Sequence, residues 1–447
     1  MQRISVILIV KNEARCLASC LDAVESVVDE IVVVDTGSTD NTIQIATARA
    51  NTILHFDWCN DFSAARNVGI DGATGDWCLT LDADEVVQDS AAARTALLAF
   101  ASGQLPHTVG TIAIESLNAP GDDAQLVTHH TERFFKRGQY RYGGPVHEQL
   151  VAVTGEKTRA PTGLRVVHSG YIQAHDDSAH KAHRNISILE AALEKQPRDE
   201  YLWYQLGKSH YSLKHYGPAV QAFEQAGACI DFTAAYPQGQ QGLVARSVLT
   251  DLATSLAYAY VNMDKVGQAY TVLERHEALG HAGTQWADFP HALGYVYLML
   301  GEIEKSRAAY RAALAIGPAR EDVQGTGSFA CHYHLGLLAE ADKNLPQALS
   351  HYRDALQRKP DYGVAIQRCV DFAVEYGVAL PPDVAGAISP GLLEARWLAT
   401  LLKHLAAGSM DAARVLVQAA PSISQDLLVQ CKTALEAFLA QDNDTES

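Results

Sequence analysis

Ile31-Val-Val-Val-Asp35-Thr-Gly-Ser-Thr-Asp40 and, further on, Trp77-Cys-Leu-Thr-Leu-Asp82-Ala-Asp84-Glu85 decide the fold of this chain. Each is a short apolar run that stops at a cluster of acidic residues. Apolar runs of this length, without polar alternation, suit strands buried on both faces, as in parallel sheets. Such sheets bind ligands beyond the carboxyl ends of their strands, and both acidic clusters fall there.

The surrounding pattern agrees. Ile4–Val10 reads as a first strand, Ala14–Ser26 as an amphipathic helix, Ile31–Val34 as a strand and Thr42–Ala50 as a helix capped by Asp40 or Asn41. Asn51–Phe56 is a short strand, Asp61 caps a helix over Phe62–Ala73, and Gly75-Asp76 turns into the strand Trp77–Leu81. This alternation predicts a mostly parallel α/β sheet. Between 107 and 172, β-prone pieces (Val109–Ser116, Thr128–Phe135, Val146–Val153, Leu164–His168) extend it. From Ala182 onward the pattern is helical throughout.

The helical half repeats. Gly207, Gly294 and Gly336 are each followed by an aromatic residue sixteen positions on (Phe223, Tyr310, Tyr352) and by alanine nineteen on (Ala226, Ala313, Ala355). Leu256, Ala257, Tyr260, Ala269 and Leu273 form a fainter copy. This wording resembles the tetratricopeptide repeat, in which small residues let two helices approach and an aromatic fills the seam. The anchors are unevenly spaced, so insertions are expected, Tyr236–Gly242 among them. Leu392–Ala407, Met410–Ala419 and Ile423–Leu439 read as capping helices and Gln441–Ser447 as a frayed end. The expected domains are 1–175, 180–375 and 385–447.

Composition narrows the class. The chain has 447 residues, 48% of them apolar, and a formal charge of −17, which argues against a nucleic-acid or anionic-membrane partner. Its eight cysteines include no Cys-x-x-Cys pair and read as buried thiols of a reducing compartment. No run reaches the length of a bilayer span. The expectation is a cytoplasmic protein, on which reading the sequon Asn185-Ile-Ser187 is accidental.

Taken in order, Val6-Ile-Leu-Ile-Val-Lys-Asn-Glu13, Val34-Asp-Thr-Gly-Ser-Thr-Asp40, Ala65-Arg-Asn67, Gly75-Asp-Trp77 and Leu81-Asp-Ala-Asp-Glu85 resemble the family 2 glycosyltransferases. These have the GT-A fold and transfer sugar from a nucleotide-diphosphate donor with inversion. The resemblance covers roughly residues 1–175. It implies that Asp35 contacts the base, that Ile9, Val10, Lys11, Asn12 and Glu13 wall the nucleoside pocket, and that Ser38, Asp40, Asp82 and Ala83 also bind the nucleotide-sugar. Asp84, with Asp82 and His168, would hold Mg²⁺ or Mn²⁺, hard cations suited to carboxylate and phosphate oxygens. Arg66 would meet phosphate or sugar oxygens. Within Tyr142-Gly-Gly-Pro-Val-His147-Glu148, Glu148 is the candidate base, with His147 its competitor. Many family members carry the base in a Glu-Asp pair on a helix; residues 1–175 contain no such pair. His175, His180 and His183 follow no ligand spacing.

On the residues alone, Asp35 and Asp40 also suit turn caps, Arg66 a surface cation, Asp82-Ala-Asp84 a solvated turn, and His147-Glu148 a loop-orienting pair. A family 2 domain followed by such repeats is similar to bacterial S-glycosyltransferases of the sublancin type, which modify a peptide, and to sugar transferases of lipopolysaccharide core assembly. Solenoid surfaces favour a peptide or protein acceptor; they can also drive homodimerisation. Two other classes stay open: a tetratricopeptide scaffold with a degenerate nucleotide-binding domain, and a sugar nucleotidyltransferase. The latter needs a Gly-rich triphosphate loop after the first strand, where this chain has Lys11-Asn-Glu13.

Overall fold

In a computed structural model, Ile4–Val10 (β1) is buried along nearly its whole length, which explains its unbroken apolar sequence. The structure describes residues 2–103, 107–117, 126–155, 157–168, 177–230, 246–278, 286–321, 323–388, 390–407, 409 and 416. The chain forms two compact units, Met1–Ala245 and Arg246–Ser447.

In the first unit β1 is followed by α1 (Leu17–Val24), β2 (Glu30–Asp35), α2 (Thr42–Thr47), β3 (Thr52–His55), α3 (Phe62–Gly72) and β4 (Trp77–Leu81). Then come β5 (Glu85–Val87), α4 (Ser90–Gly103), β6 (Thr108–Leu117), β7 (Leu126–Lys136), β8 (Tyr140–Gly143), β9 (Gln149–Ala152) and β10 (Thr158–His168). Eight strands form one sheet in the order β3-β2-β1-β4-β7-β6-β10-β5, while β8 and β9 pair separately. The β3-β2-β1-β4 half is parallel, β7 enters antiparallel to both neighbours, and β10 runs parallel to β6. The direction of strand addition reverses between β1 and β4, and a ligand crevice opens at such a switch point.

One face of the sheet packs Val6, Leu8 and Phe134 against Leu17, Leu21, Leu97 and Phe100 of α1 and α4. The other packs Ile7, Cys78 and Phe135 against Tyr140, Tyr142 and Leu150 of the small sheet. The expected strand Val146–Val153 begins only at Gln149, because Val146 instead packs with Ile186, Leu189, Leu202 and Leu206. Those residues belong to α5 (Asp177–Lys195) and α6 (Glu200–Ser212), which with α7 (Tyr216–Cys229) complete the unit. Asp61 caps α3 as expected, accepting from the Ala64 amide at 2.9 Å. Sequence reading missed α4, whose alanines give little periodicity, and β5 and β8, which are too short to show any.

The second unit is helical among its described residues: α8 (Arg246–Val261), α9 (Val266–Ala278), α10 (Asp288–Met299), α11 (Ile303–Ile316), α12 (Phe329–Ala341), α13 (Leu345–Arg358), α14 (Gly363–Tyr376), α15 (Pro382–Ala385) and α16 (Pro390–Ala406). The repeat spacing has a direct cause. A Cβ built on Gly207, Gly294 or Gly336 would lie 2.4, 2.8 or 2.3 Å from the ring of Phe223, Tyr310 or Tyr352. Only glycine lets the paired helices close on those rings. Ala226, Ala313 and Ala355 are fully buried beside them. The helices expected over Met410–Ala419 and Ile423–Leu439, the insertion Tyr236–Gly242, the tail Gln441–Ser447, and Tyr171 and His175 lie outside the described residues, apart from Leu416.

Candidate active site

The loops leaving β1 and β2 interlock at the crevice. Asp35 ends β2 almost wholly buried, and its carboxylate accepts from the Gly37 amide at 3.2 Å and the Ser38 amide at 3.1 Å. This turn needs Gly37 at φ +98°, a conformation other residues resist. Thr36 donates its amide and its hydroxyl to the Val10 carbonyl at 3.0 and 3.1 Å. Asn12, at φ +58°, accepts from the Thr39 amide at 2.7 Å and donates its own amide to Ser38 Oγ at 3.0 Å. Asp40 accepts from Ala14 and Thr42 amides at 3.2 and 3.0 Å. Asn12, Ser38 and Asp40 therefore hold the loops together. Asp35 keeps acceptor capacity, since an ionised carboxylate offers about four lone-pair sites. Ile9 is half-buried, Val10 buried and Lys11 exposed.

Beyond β4, Asp82 lies over two buried arginines. Arg66 Nη2 donates to Asp82 Oδ1 at 2.8 Å, and Arg133 Nη2 to Oδ2 at 2.9 Å. The Arg66 and Arg133 side chains are 7% and 12% exposed against 38% for Asp82, so the carboxylate caps cations that have left water. Arg66 Nε reaches Glu148 Oε1 at 2.5 Å, and Arg133 lies 3.5 Å from Glu85. Burial alone would push Asp82 up, but Arg133 and Arg66 hold it well below the usual carboxylate range. Glu85, more deeply buried, is pushed up by desolvation, and it accepts from the Asp82 amide at 2.9 Å. One nitrogen of each arginine, Nη1, is buried without a hydrogen-bond partner.

Two residues on, the setting differs. Asp84 Oδ2 lies 2.9 Å from His168 Nε2 at the end of β10. That hydrogen bond raises the imidazole above its ordinary value despite partial burial. Glu13 is nearby: burial, then the charges of Asp84, Asp82 and Asp40, push its carboxyl up, while the Cys16 thiol donates to it at 3.1 Å. Of the three expected metal ligands, Asp84 and His168 are thus in contact, whereas both Asp82 oxygens face guanidinium groups. Ala83 is buried between them.

Glu148 lines a cleft of about 260 Å³ with Arg66, Arg133, Tyr142, Glu132 and Arg159. Tyr142 is fixed by Asn67, which bonds both its amide and its carbonyl, and by a 2.6 Å contact of its hydroxyl with Thr80. His147, at φ +54°, points elsewhere: it is exposed, with Nε2 3.4 Å from Asn185 of α5. The Tyr201 hydroxyl of α6 donates to the His147 carbonyl at 3.2 Å and accepts from Gln149 at 2.7 Å, so the first helical hairpin steadies the loop that carries Glu148. Sequence reading missed Arg133. The signal was present: Arg133 shares a strand face with Phe135, and an arginine on an inward face requires acidic partners.

A strand-end crevice at the switch point of the sheet, with an acidic rim and a cationic floor, defines the ligand site of an α/β domain. Residues 5–141 match the glycosyl transferase family 2 model, and residues 201–226 and 291–319 match the tetratricopeptide repeat model. The chain thus carries a family 2 glycosyltransferase domain followed by tetratricopeptide repeats. It is 35% identical over 219 residues to a TPR repeat-containing protein of Synechococcus elongatus, covering 46% of this chain and 52% of that one. It is 28% identical over 214 residues to the glycosyltransferase SunS of Bacillus subtilis, covering 46% and 49%. The chain therefore spans about half the length of these curated relatives. An uncharacterized glycosyltransferase of Rickettsia felis is 35% identical over 85 residues, covering 19% and 30%. The solved structure of S. aureus TarS 1-349 in complex with UDP-GlcNAc aligns over 62% of this chain and 92% of that chain, at 13% identity and a TM-score of 0.33. Among the described residues no helix is long and apolar enough to cross a membrane.

Proposed function

We propose that this protein is an inverting, metal-dependent glycosyltransferase that moves a sugar from a UDP-sugar to a peptide or protein acceptor. The observation that carries this reading is the Asp84–His168 contact at 2.9 Å, set beside an acidic group, Glu13, whose charged form is disfavoured by burial and then by its acidic neighbours. Adjacent ligands on an octahedral cation of Mg²⁺ or Mn²⁺ size stand about 3 Å apart, so these two atoms need little movement to share one ion. A bound ion would neutralise the departing diphosphate and lower the acidic crowding at Glu13.

The chain's own groups divide the remaining work. Asp35 accepts from a base N–H at the end of β2. Asp82 holds Arg66 and Arg133 in fixed orientation, and their unpaired Nη1 groups supply buried donors for anionic or sugar oxygens. Glu148, oriented by Arg66, takes the proton from the acceptor nucleophile. That nucleophile attacks the anomeric carbon from the face opposite the phosphate; the carbon–oxygen bond to phosphate breaks and its electron pair leaves with UDP. A peptide acceptor is favoured because tetratricopeptide solenoids offer extended concave surfaces.

The experiment is incubation of purified protein with labelled UDP-sugars and candidate peptides, with Mn²⁺ or with EDTA. Expected are donor turnover with metal and its loss in Asp84→Ala. Turnover unaffected by EDTA and by Asp84→Ala overturns the metal assignment.

A further inference from the structure

We propose that His332, His351 and Asp354 in the second unit form a binding site for a zinc-class divalent cation that staples α12 to α13. The metal proposed at Asp84 is a separate matter, and this inference does not rest on it.

His332 lies on α12 one turn before Gly336, the glycine that closes on Tyr352, and so faces α13. His351 and Asp354 are three residues apart on α13, which puts them on one helix face. Each of the three residues offers a ligand atom, and these atoms all lie within 4.8 Å of one another. Among the described residues, no other trio of His, Cys, Asp or Glu groups meets that criterion. The two Nδ1 atoms are 3.4 Å apart, and His332 Nδ1 is 3.9 Å from Asp354 Oδ2. Tetrahedral ligands at a Zn–N distance of about 2.0–2.1 Å are separated by about 3.3–3.4 Å. The histidine pair already meets that spacing, and the carboxylate is half an ångström or so beyond it.

The support around the site is also built. Arg353 bonds Asp354 Oδ1 at 3.1 Å, which leaves Oδ2 toward the imidazoles, the arrangement expected around a metal-binding carboxylate. Seam packing by Gly336 and Tyr352 fixes the two helices that carry the ligands. Two imidazoles with one carboxylate select a borderline cation such as Zn²⁺ over Mg²⁺ or Ca²⁺, which prefer oxygen. With three protein ligands, a fourth position stays open to water or to a side chain from another molecule. Arg307 and Arg311 of α11 and Arg358 of α13 act electrostatically on the histidines, and their positive charge opposes a bound dication.

The test is calorimetric titration of Zn²⁺ alone into the full, EDTA-treated chain carrying Asp84→Ala, which disables the other candidate metal site. One equivalent is expected to bind, with affinity falling at least tenfold on adding His332→Gln or His351→Gln and the midpoint of unfolding rising by about 2–4 °C at saturation in the parent. No site, or one indifferent to both substitutions, overturns the proposal. If the variants misfold by circular dichroism, diethylpyrocarbonate labelling of the wild-type protein decides: Zn²⁺ protection of His332 and His351 supports the site, and unchanged labelling overturns it.

Discussion

Asp82 and Asp84 stand two residues apart after the same strand, yet their partners differ in kind. Asp82 faces two guanidinium groups, which neither lose a proton at accessible pH nor bind metal. To enter a metal shell it would give up two charge-assisted bonds, each worth about 1.5–3 kcal/mol. Asp84 faces an imidazole, which can release its proton and itself become a ligand. An Asp-x-Asp motif is thus two jobs in one spelling: the first aspartate organises the cationic floor, and the second stays exchangeable.

Asp84→Ala should give the largest effect, a loss of transfer of about 10²–10³-fold, because metal stabilisation of a leaving group is worth several kcal/mol. Its unfolding midpoint should stay near that of the parent, since the side chain is partly exposed. A steady-state assay beside thermal denaturation checks both halves.

Asp82→Asn should invert that profile in stability. It leaves Arg66 and Arg133 buried side by side with only Glu148 and Glu85 to balance them. The cost should be about 2–3 kcal/mol, discounted from the 3–5 typical of a broken buried pair because Asp82 is partly solvated. Chemical denaturation of the two proteins measures it, and equal midpoints would erase the contrast.

That difference should depend on pH in a definite direction. Asp82 in the folded protein titrates below its unfolded value of about 3.9, so its contribution is present above that value. It is lost progressively as pH falls toward the folded value. The gap between parent and Asp82→Asn should therefore be full at pH 7 and smaller at pH 3.

Ser38→Ala is the mildest change. It removes one acceptor for the Asn12 amide at an exposed loop, a loss of about 1 kcal/mol or less, and should raise the KM for the donor while leaving the unfolding midpoint nearly unchanged.

The reach of sequence reading follows the same division. Strands β1, β2 and β4 were legible because burial on both faces demands uninterrupted apolar runs, and the acidic tips followed at their ends. The glycine-to-aromatic spacing was legible because it records a steric contact repeated in three hairpins. What Asp82 touches was not legible: Arg133 lies fifty-one residues away on a strand that joins β4 antiparallel. No local pattern encodes such a pairing. Sequence chemistry preferred Glu148 to His147 but could not place either, and the left-handed backbone at His147 separates them, leaving Glu148 in the cleft and His147 against α5.

The most direct measurement is calorimetric binding of UDP to the EDTA-treated protein, with and without Mn²⁺, in the parent and in Asp84→Ala. The account predicts binding strengthened at least tenfold by Mn²⁺ in the parent and no such gain in the variant. Mn²⁺-independent binding of equal strength in both proteins, or no UDP binding at all, would contradict it.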